Sequence, residues 1–107
     1  MQKERQPAIM TVCDKTFGSI RTMIWGHRRK DGKYRFKVTT VKLVPVCSHF
    51  QGWSRDFTSE DAEDLQRASE FRKRWFRDSK IFRTLADKDQ LEATFLSGMS
   101  HDNSEIL

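Results

Sequence analysis

A concentrated run of basic residues is the part of this sequence best suited to bind a charged ligand. The ten residues 28–37 hold six cations around Asp31-Gly32. Asp-Gly between alternating segments predicts a β-hairpin, because glycine accepts the positive φ that tight turns require. After the turn the cations Lys33, Arg35 and Lys37 alternate with apolar residues. We therefore expect a basic hairpin with one cationic face and one face toward a core.

Aromatic residues near these cations suggest which ligand they hold. Nonspecific binding of nucleic acid needs cations for the phosphates and flat side chains on which bases stack. A sheet supplies both from neighbouring strands, and Trp25 and Trp53 are either stacking platforms of this kind or core residues. The candidate nucleic-acid-binding residues are Arg21, Trp25, Arg28, Arg29, Lys30, Lys33, Arg35, Lys37, Lys42, Trp53 and Arg55.

The sequence gives little support for catalysis or for metal binding. The sequence has no glycine-rich phosphate loop, nucleophile elbow or His-Glu-x-x-His motif, so we expect neither an enzyme nor a bound cofactor. Cys13, His27, Cys47 and His49 are the residue types of a zinc site, but only Cys47-x-His49 has a close spacing. We favour two ordinary thiols and two surface histidines, and predict no metal.

Charge and length limit the remaining possibilities. The 107 residues suffice for one domain, with a formal charge of +5. Residues 1–50 carry 11 Lys and Arg against 3 Asp and Glu, whereas residues 51–107 carry 9 against 12. A positive field of this kind favours nucleic acid or another anionic partner. No secretory signal or membrane span is visible, which predicts a cytoplasmic protein without a membrane partner.

The periodicity of the chain predicts an α+β fold. We expect a twisted antiparallel sheet of three to four strands, a main helix packed on one face and a shorter C-terminal helix. Thr58 or Ser59 caps the main helix, and Asp87 splits the helical stretch that follows. The apolar stripe of the main helix is Ala62, Leu65, Ala68, Phe71, Trp75 and Phe76, and its basic last turn is Arg72, Lys73, Arg74 and Arg77. Residues 8–96 form the predicted domain, between a disordered arm (1–7) and a disordered tail (97–107). The expected strands are 8–13, 17–27, 33–46 and 53–57, with a bulge or bend near residues 39–40 and with Pro45 either ending its strand or lying at a sheet edge.

The spacing of these features resembles a known fold. The motif residues are Gly18, Ile20, Ile24, Trp25, Asp31, Gly32, Tyr34, Phe36, Val38, Trp53, Phe57, Asp61, Leu65 and Trp75. They resemble small uncharacterised bacterial proteins and, more remotely, the positive-coactivator-type single-stranded DNA-binding fold shared with the plant Whirly proteins. The resemblance covers residues 17–76. This chain departs from the pattern of that fold in the irregular segment 45–52 and in the helical tail after Asp78.

The resemblance carries functional implications of its own. It implies a curved sheet backed by a helix, dimers formed through the helices, and strand residues that hold single-stranded nucleic acid. The matching positions are Arg21, Lys33, Arg35, Lys37 and Lys42. We therefore expect a binding protein for single-stranded DNA or RNA with low sequence specificity, and a possible homodimer. The alternative is a protein-interaction adaptor whose basic hairpin docks an acidic partner.

Overall fold

Four antiparallel strands in sequence order, followed by helices, make up the described part of the chain. The computed structural model describes residues 7–96; the predicted disordered segments, apart from Pro7, lie outside this range. The sheet order is β1-β2-β3-β4, which confirms the predicted α+β arrangement. The strands are β1 (Ile9–Phe17), β2 (Ile20–Arg28), β3 (Tyr34–Cys47) and β4 (Phe50–Ser54).

Glycines with positive φ make the first two turns of the sheet. Gly18 has φ 63° between β1 and β2, and Gly32 has φ 87° between β2 and β3. The Gly32 N–H donates to the Arg29 carbonyl at 3.0 Å, and the Arg29 N–H donates to the Lys33 carbonyl at 2.7 Å. A hydrogen-bonded turn followed by a glycine in this conformation is a common hairpin connection. The predicted basic hairpin is thus confirmed as the β2–β3 connection.

The helices begin at polar caps. A single turn of 3-10 helix (Ser59–Asp61) leads into α1 (Ala62–Asp78), which is followed by α2 (Lys80–Leu85) and α3 (Lys88–Leu96). Thr58 caps the first turn as predicted, since the Asp61 carboxylate accepts its backbone N–H at 2.8 Å. The Asp87 carboxylate accepts the Gln90 N–H at 2.8 Å. The predicted split at Asp87 is therefore confirmed.

The core lies between one face of the sheet and the helices. Its buried residues are Ile24, Tyr34, Phe36, Val38, Phe76, Phe82 and Ala86. The Phe36 ring centroid lies 5.7 Å from that of Phe82 and 5.8 Å from that of Trp75. We call this side of the sheet the helix face. The opposite side is the open face.

A buried arginine interrupts the predicted apolar stripe of α1. Arg72 is 8% exposed, and its Nη1 donates to the hydroxyls of Thr22 and Thr40 at 3.3 and 3.2 Å. Those two hydroxyls lie 3.0 Å apart on β2 and β3. Ala62, which the stripe placed in the core, is exposed. The middle of the helix–sheet contact is therefore a polar cluster, which stripe periodicity did not predict.

The α2–α3 junction covers the edge of β3 that β4 leaves open. The Gln90 side chain accepts the Phe36 N–H at 2.7 Å and donates to the Phe36 carbonyl at 2.8 Å. The Asp87 N–H donates to the Tyr34 carbonyl at 2.9 Å. At Tyr34 and Phe36 these groups take the place of a neighbouring strand, which protects this part of the edge against pairing with another chain.

Several predicted strand limits were wrong. Segment 17–19 is mostly turn, because β1 runs to Phe17 and pairs it with Ile20. Pro45 does not end β3 but lies at its edge, because β2 pairs with β3 only as far as Lys42. Pro45 pairs with Gln51, so β4 begins earlier than predicted and stops at Ser54.

The predicted bulge at residues 39–40 is absent, since the β2–β3 register is unbroken from Arg28↔Tyr34 to Ile20↔Lys42. The register shift in β3 lies between Pro45 and Cys47 instead. The apolar residues of β3 change from even to odd positions after Val38 because Val41 and Leu43 lie on the open face, where Leu43 pairs with Trp53.

Candidate functional site

The open face gathers two tryptophans and several cations. Residues paired across an antiparallel sheet lie on the same face. Trp25 pairs with Lys37, His27 pairs with Arg35, and Leu43 pairs with Trp53. The described helices contact the helix face through Arg72, Phe76 and Phe82. At the α2–α3 junction, Gln90 contacts the edge of β3 and Asp87 reaches Arg35 at the hairpin end of the open face. The Trp25–Lys37 row and Trp53 are thus on the side of the sheet that these helices leave uncovered.

Trp25 is a half-buried platform held by two neighbours from β3. Its Nε1–H donates to the Thr39 hydroxyl at 2.9 Å. The Lys37 ammonium lies 5.9 Å from the centroid of the indole ring, within cation–π range. The hydrogen bond fixes the orientation of the ring. The flexible Lys37 side chain is exposed and free to turn toward a ligand.

Trp53 is a second platform and carries its own cation. Its side chain is 51% exposed, and the guanidinium carbon of Arg21 lies 5.1 Å from its ring centroid. Two hydrogen bonds join Arg21 to Asp14, with Nε–Oδ1 at 2.8 Å and Nη2–Oδ2 at 2.5 Å. These bonds lower the pKa of Asp14 and raise that of Arg21. Asp14 thereby orients the guanidinium beside the indole.

The turn end of the basic hairpin forms a separate cationic cleft. A cavity of about 550 Å³ is lined by His27, Arg28, Arg29, Lys30 and Asp31. Four of these five residues are basic, and the turn geometry at Gly32 holds them together. The cleft adjoins the open face at His27, which pairs with Arg35.

Asp87 neutralises part of the predicted basic surface. Its carboxylate accepts Arg35 Nε at 2.9 Å and lies 3.9 Å from Arg29 Nε. Burial raises the pKa of Asp87, but the Arg35 and Gln90 hydrogen bonds and the two positive charges outweigh it, so the net pKa is lowered. Lys33 is also engaged, since its Nζ donates to the Thr84 carbonyl at 3.1 Å. These contacts join the hairpin to α2 and α3.

The predicted site residues fall into three groups. Five lie on the open face: Arg21, Trp25, Arg35, Lys37 and Trp53. Four lie at the hairpin end: Arg28, Arg29, Lys30 and Lys33. Arg55 is exposed just beyond β4.

Lys42 does not belong to this surface. It pairs with Ile20 on the helix face, and its Nζ bonds Asp61 at 2.7 Å. This bond is the first cause of the lowered pKa of Asp61. The sequence predicted Lys42 among the binding cations, but the unbroken β2–β3 register places it on the helix face. We therefore remove it from the candidate interface.

Sequence reasoning missed the residues that orient the site. Thr39, Asp14 and Asp87 each hold a predicted site residue, yet none was singled out for that role. Asp87 was noted only as a helix cap. Strand pairing would have indicated Thr39, which lies next to Lys37 in the row beside Trp25. No local pattern indicates Asp87, which is 52 residues from Arg35.

The predicted cysteine and histidine residues are spread over the sheet. Cys13 packs half-buried against the core, and burial raises the pKa of its thiol. Cys47 ends β3 and His49 follows in the turn, so these two residues do not lie side by side on one strand. Within residues 7–96, no three His, Cys, Asp or Glu side chains are grouped so as to hold a metal ion.

Comparisons with known proteins return no match for this chain, whether to protein-family models, to curated proteins or to solved structures. The resemblance to the Whirly-type fold therefore stays a prediction. Over the described residues, no helix has the length and apolar character needed to span a membrane.

Proposed function

We propose that this protein binds single-stranded nucleic acid, DNA or RNA with low sequence specificity, through the open face and the hairpin end. The observation that carries the proposal is that Trp25 and Trp53 lie on the open face together with Arg21, Arg35 and Lys37. A cationic face without aromatic groups would favour the adaptor alternative. Indoles placed among cations favour a ligand that has both phosphates and flat bases.

Each tryptophan forms a unit with a neighbouring cation. Lys37 accompanies Trp25, and Arg21 accompanies Trp53. In such a unit the cation pairs with a phosphate while the adjacent base stacks on the indole. Because every base has a flat face, stacking accepts any sequence. Low specificity follows from this mode of binding.

The ligand is single-stranded, because a base must leave its stack to reach an indole. A broad sheet does not enter the major groove of duplex DNA as a helix or a two-stranded ribbon does. Duplex would therefore contact only the cations, through its phosphates. We expect single strands to bind more tightly than duplex of the same length, most clearly at salt concentrations that weaken phosphate contacts.

A charge reversal with a matched control tests the proposal. Lys37→Glu changes the open face, whereas Lys73→Glu makes the same change on α1, at another exposed lysine. We expect Lys37→Glu to weaken binding of a labelled homopolymeric single strand, measured by fluorescence anisotropy, and Lys73→Glu to change it much less. Equal effects would reduce the interaction to net charge. Binding of an acidic peptide, but not of single strands, would favour the adaptor.

A further inference from the structure

We infer that β4 is a self-association edge, through which two copies of this chain pair antiparallel into one continuous sheet. This inference goes beyond the proposed function and needs no nucleic acid. It depends on three features of the described residues: how the other edges are covered, where the backbone groups of β4 point, and which charges the strand carries.

The other edges of the sheet are protected against pairing. Gln90 covers the free edge of β3, as described above. β1 has a register irregularity between Thr11 and Cys13 and carries the charged residues Asp14 and Lys15. Bulges and charges are the usual means by which proteins keep an edge strand from pairing. Within residues 7–96, β4 is the edge strand that has neither a charged side chain nor a bulge of its own, since the register shift beside it lies in β3.

The outer backbone groups of β4 belong to Gln51 and Trp53. The Leu43 N–H donates to the Ser19 carbonyl at 2.8 Å, so it points toward the β1–β2 turn and away from β4. Its partner Trp53 therefore directs its own N–H and C=O outward, and Gln51 does the same two residues away. Pro45, opposite Gln51, has no N–H to offer, which agrees with this assignment.

A two-fold arrangement satisfies these groups. With Gly52 of one copy opposite Gly52 of the other, each Gln51 faces a Trp53. Each such pair exchanges two backbone hydrogen bonds, one in each direction, because both residues point outward. The contact is thus self-complementary. In this register the two Trp53 side chains lie diagonally across the joint, so the two open faces continue into each other.

The composition of this edge fits a second copy better than a charged partner. Residues 48–54 contain no Asp, Glu, Lys or Arg, in a chain of which 33% is charged. Two identical strands can therefore approach without placing like charges opposite each other. Phe50 and Val46, each 60% exposed, lie at the same hairpin and offer apolar surface for the contact.

Sedimentation analysis of the full chain without nucleic acid tests the inference. We expect the parent and Gln51→Ala to form dimers as concentration rises. Gln51→Pro removes the outward N–H in both copies but no bond to β3, so two hydrogen bonds are lost and the dimer weakens by about 30-fold or more. Gln51→Lys keeps the N–H but places two like charges diagonally across the joint, and it should also weaken the dimer.

Three results would overturn the inference. These are a parent that stays monomeric at all concentrations, a Gln51→Pro variant that dimerises as the parent does, and a Gln51→Ala variant that dissociates as Gln51→Pro does. Circular dichroism and thermal melts establish that each variant is folded. If Gln51→Pro does not fold, the Gln51→Lys result decides, and an unchanged dimer there contradicts the assignment of β4. Because no ligand is present, failure here leaves the proposed function unaffected.

Discussion

Truncation of Trp25 separates its structural role from its role in binding. In the fold, Trp25 is half-buried, donates to Thr39 and lies near the Lys37 ammonium. Truncating a fully buried large aromatic costs about 3 to 5 kcal/mol, so a half-buried one costs about 2 kcal/mol. Loss of the hydrogen bond adds about 1 kcal/mol. We therefore expect Trp25→Ala to lower the free energy of unfolding by about 3 kcal/mol.

The same variant should lose affinity for single strands. Removing one base–aromatic contact costs about 1 to 3 kcal/mol, which corresponds to about a 5- to 150-fold weaker Kd. Duplex, which cannot stack on the indole, should lose much less. The expected drop in stability lowers the melting temperature by about 12 to 24 °C in a domain of this size, so binding must be measured well below the melt of the variant.

Trp25→Phe is the matched control, because it keeps an aromatic ring but cannot donate to Thr39. We expect it to lose about 1 kcal/mol of stability and to retain single-strand affinity within about threefold. Thermal melts and anisotropy titrations on the three proteins give both quantities. If folded Trp25→Ala binds single strands as tightly as the parent does, Trp25 is not a stacking platform and that part of the account is wrong.

Three further perturbations test other contacts. Lys37→Gln removes one phosphate contact, so the plot of log K against log salt for single strands should become less steep by about 0.7, while Lys73→Gln should leave the slope unchanged. Equal slopes for the parent and Lys37→Gln would exclude Lys37 from the contact. Because the pKa of Asp87 is lowered in the fold, its charge stabilises the protein above its unfolded pKa of about 3.9, and this stability is lost as pH falls through the folded pKa. Thermal melts should therefore show that Asp87→Asn is less stable than the parent at neutral pH but loses less stability than the parent does below about pH 4. Parallel curves of melting temperature against pH would contradict this. Arg72→Ala, which removes two hydrogen bonds from a buried charge, should cost about 3 kcal/mol or more in denaturant unfolding, and a change below about 0.5 kcal/mol would show that the polar cluster is not structural.

Local patterns predicted those parts of the fold that depend on neighbouring residues. The Asp31-Gly32 turn, the Thr58 cap and the Asp87 split each follow from two or three residue types at a fixed spacing. The alternation of side chains along a strand likewise predicted that Arg35 and Lys37 lie on one side of β3. Such features depend on backbone conformation that a short segment determines by itself.

Long-range contacts were not predictable in the same way. The apolar residues of β3 shift from even to odd positions, and this shift predicted a bulge on the assumption that all of them point toward one core. In fact the open face also buries apolar groups near Trp53, and Val41 is 9% exposed there. Arg72 was read as part of the basic helix end, although Thr22 and Thr40 make it a core residue. These partners are 50 and 32 residues away, beyond any local pattern.

The proposed interface also changed once partners were visible. From the sequence, we expected all cations of the hairpin to be available to bind phosphates. Asp87 and the Thr84 carbonyl already engage Arg35 and Lys33. The cations paired with the indoles, Lys37 and Arg21, therefore carry more of the proposed binding than the number of charges in the hairpin suggests.

Binding of single strands by the open face can be measured by titrating the parent protein with a single-stranded homopolymer and following tryptophan fluorescence. We expect saturable quenching, because bases stack on Trp25 or Trp53, with affinity that falls as salt rises. Some quenching should persist at salt concentrations where duplex no longer binds. No fluorescence change and no anisotropy change with single strands at low salt would contradict the claim that the open face binds nucleic acid.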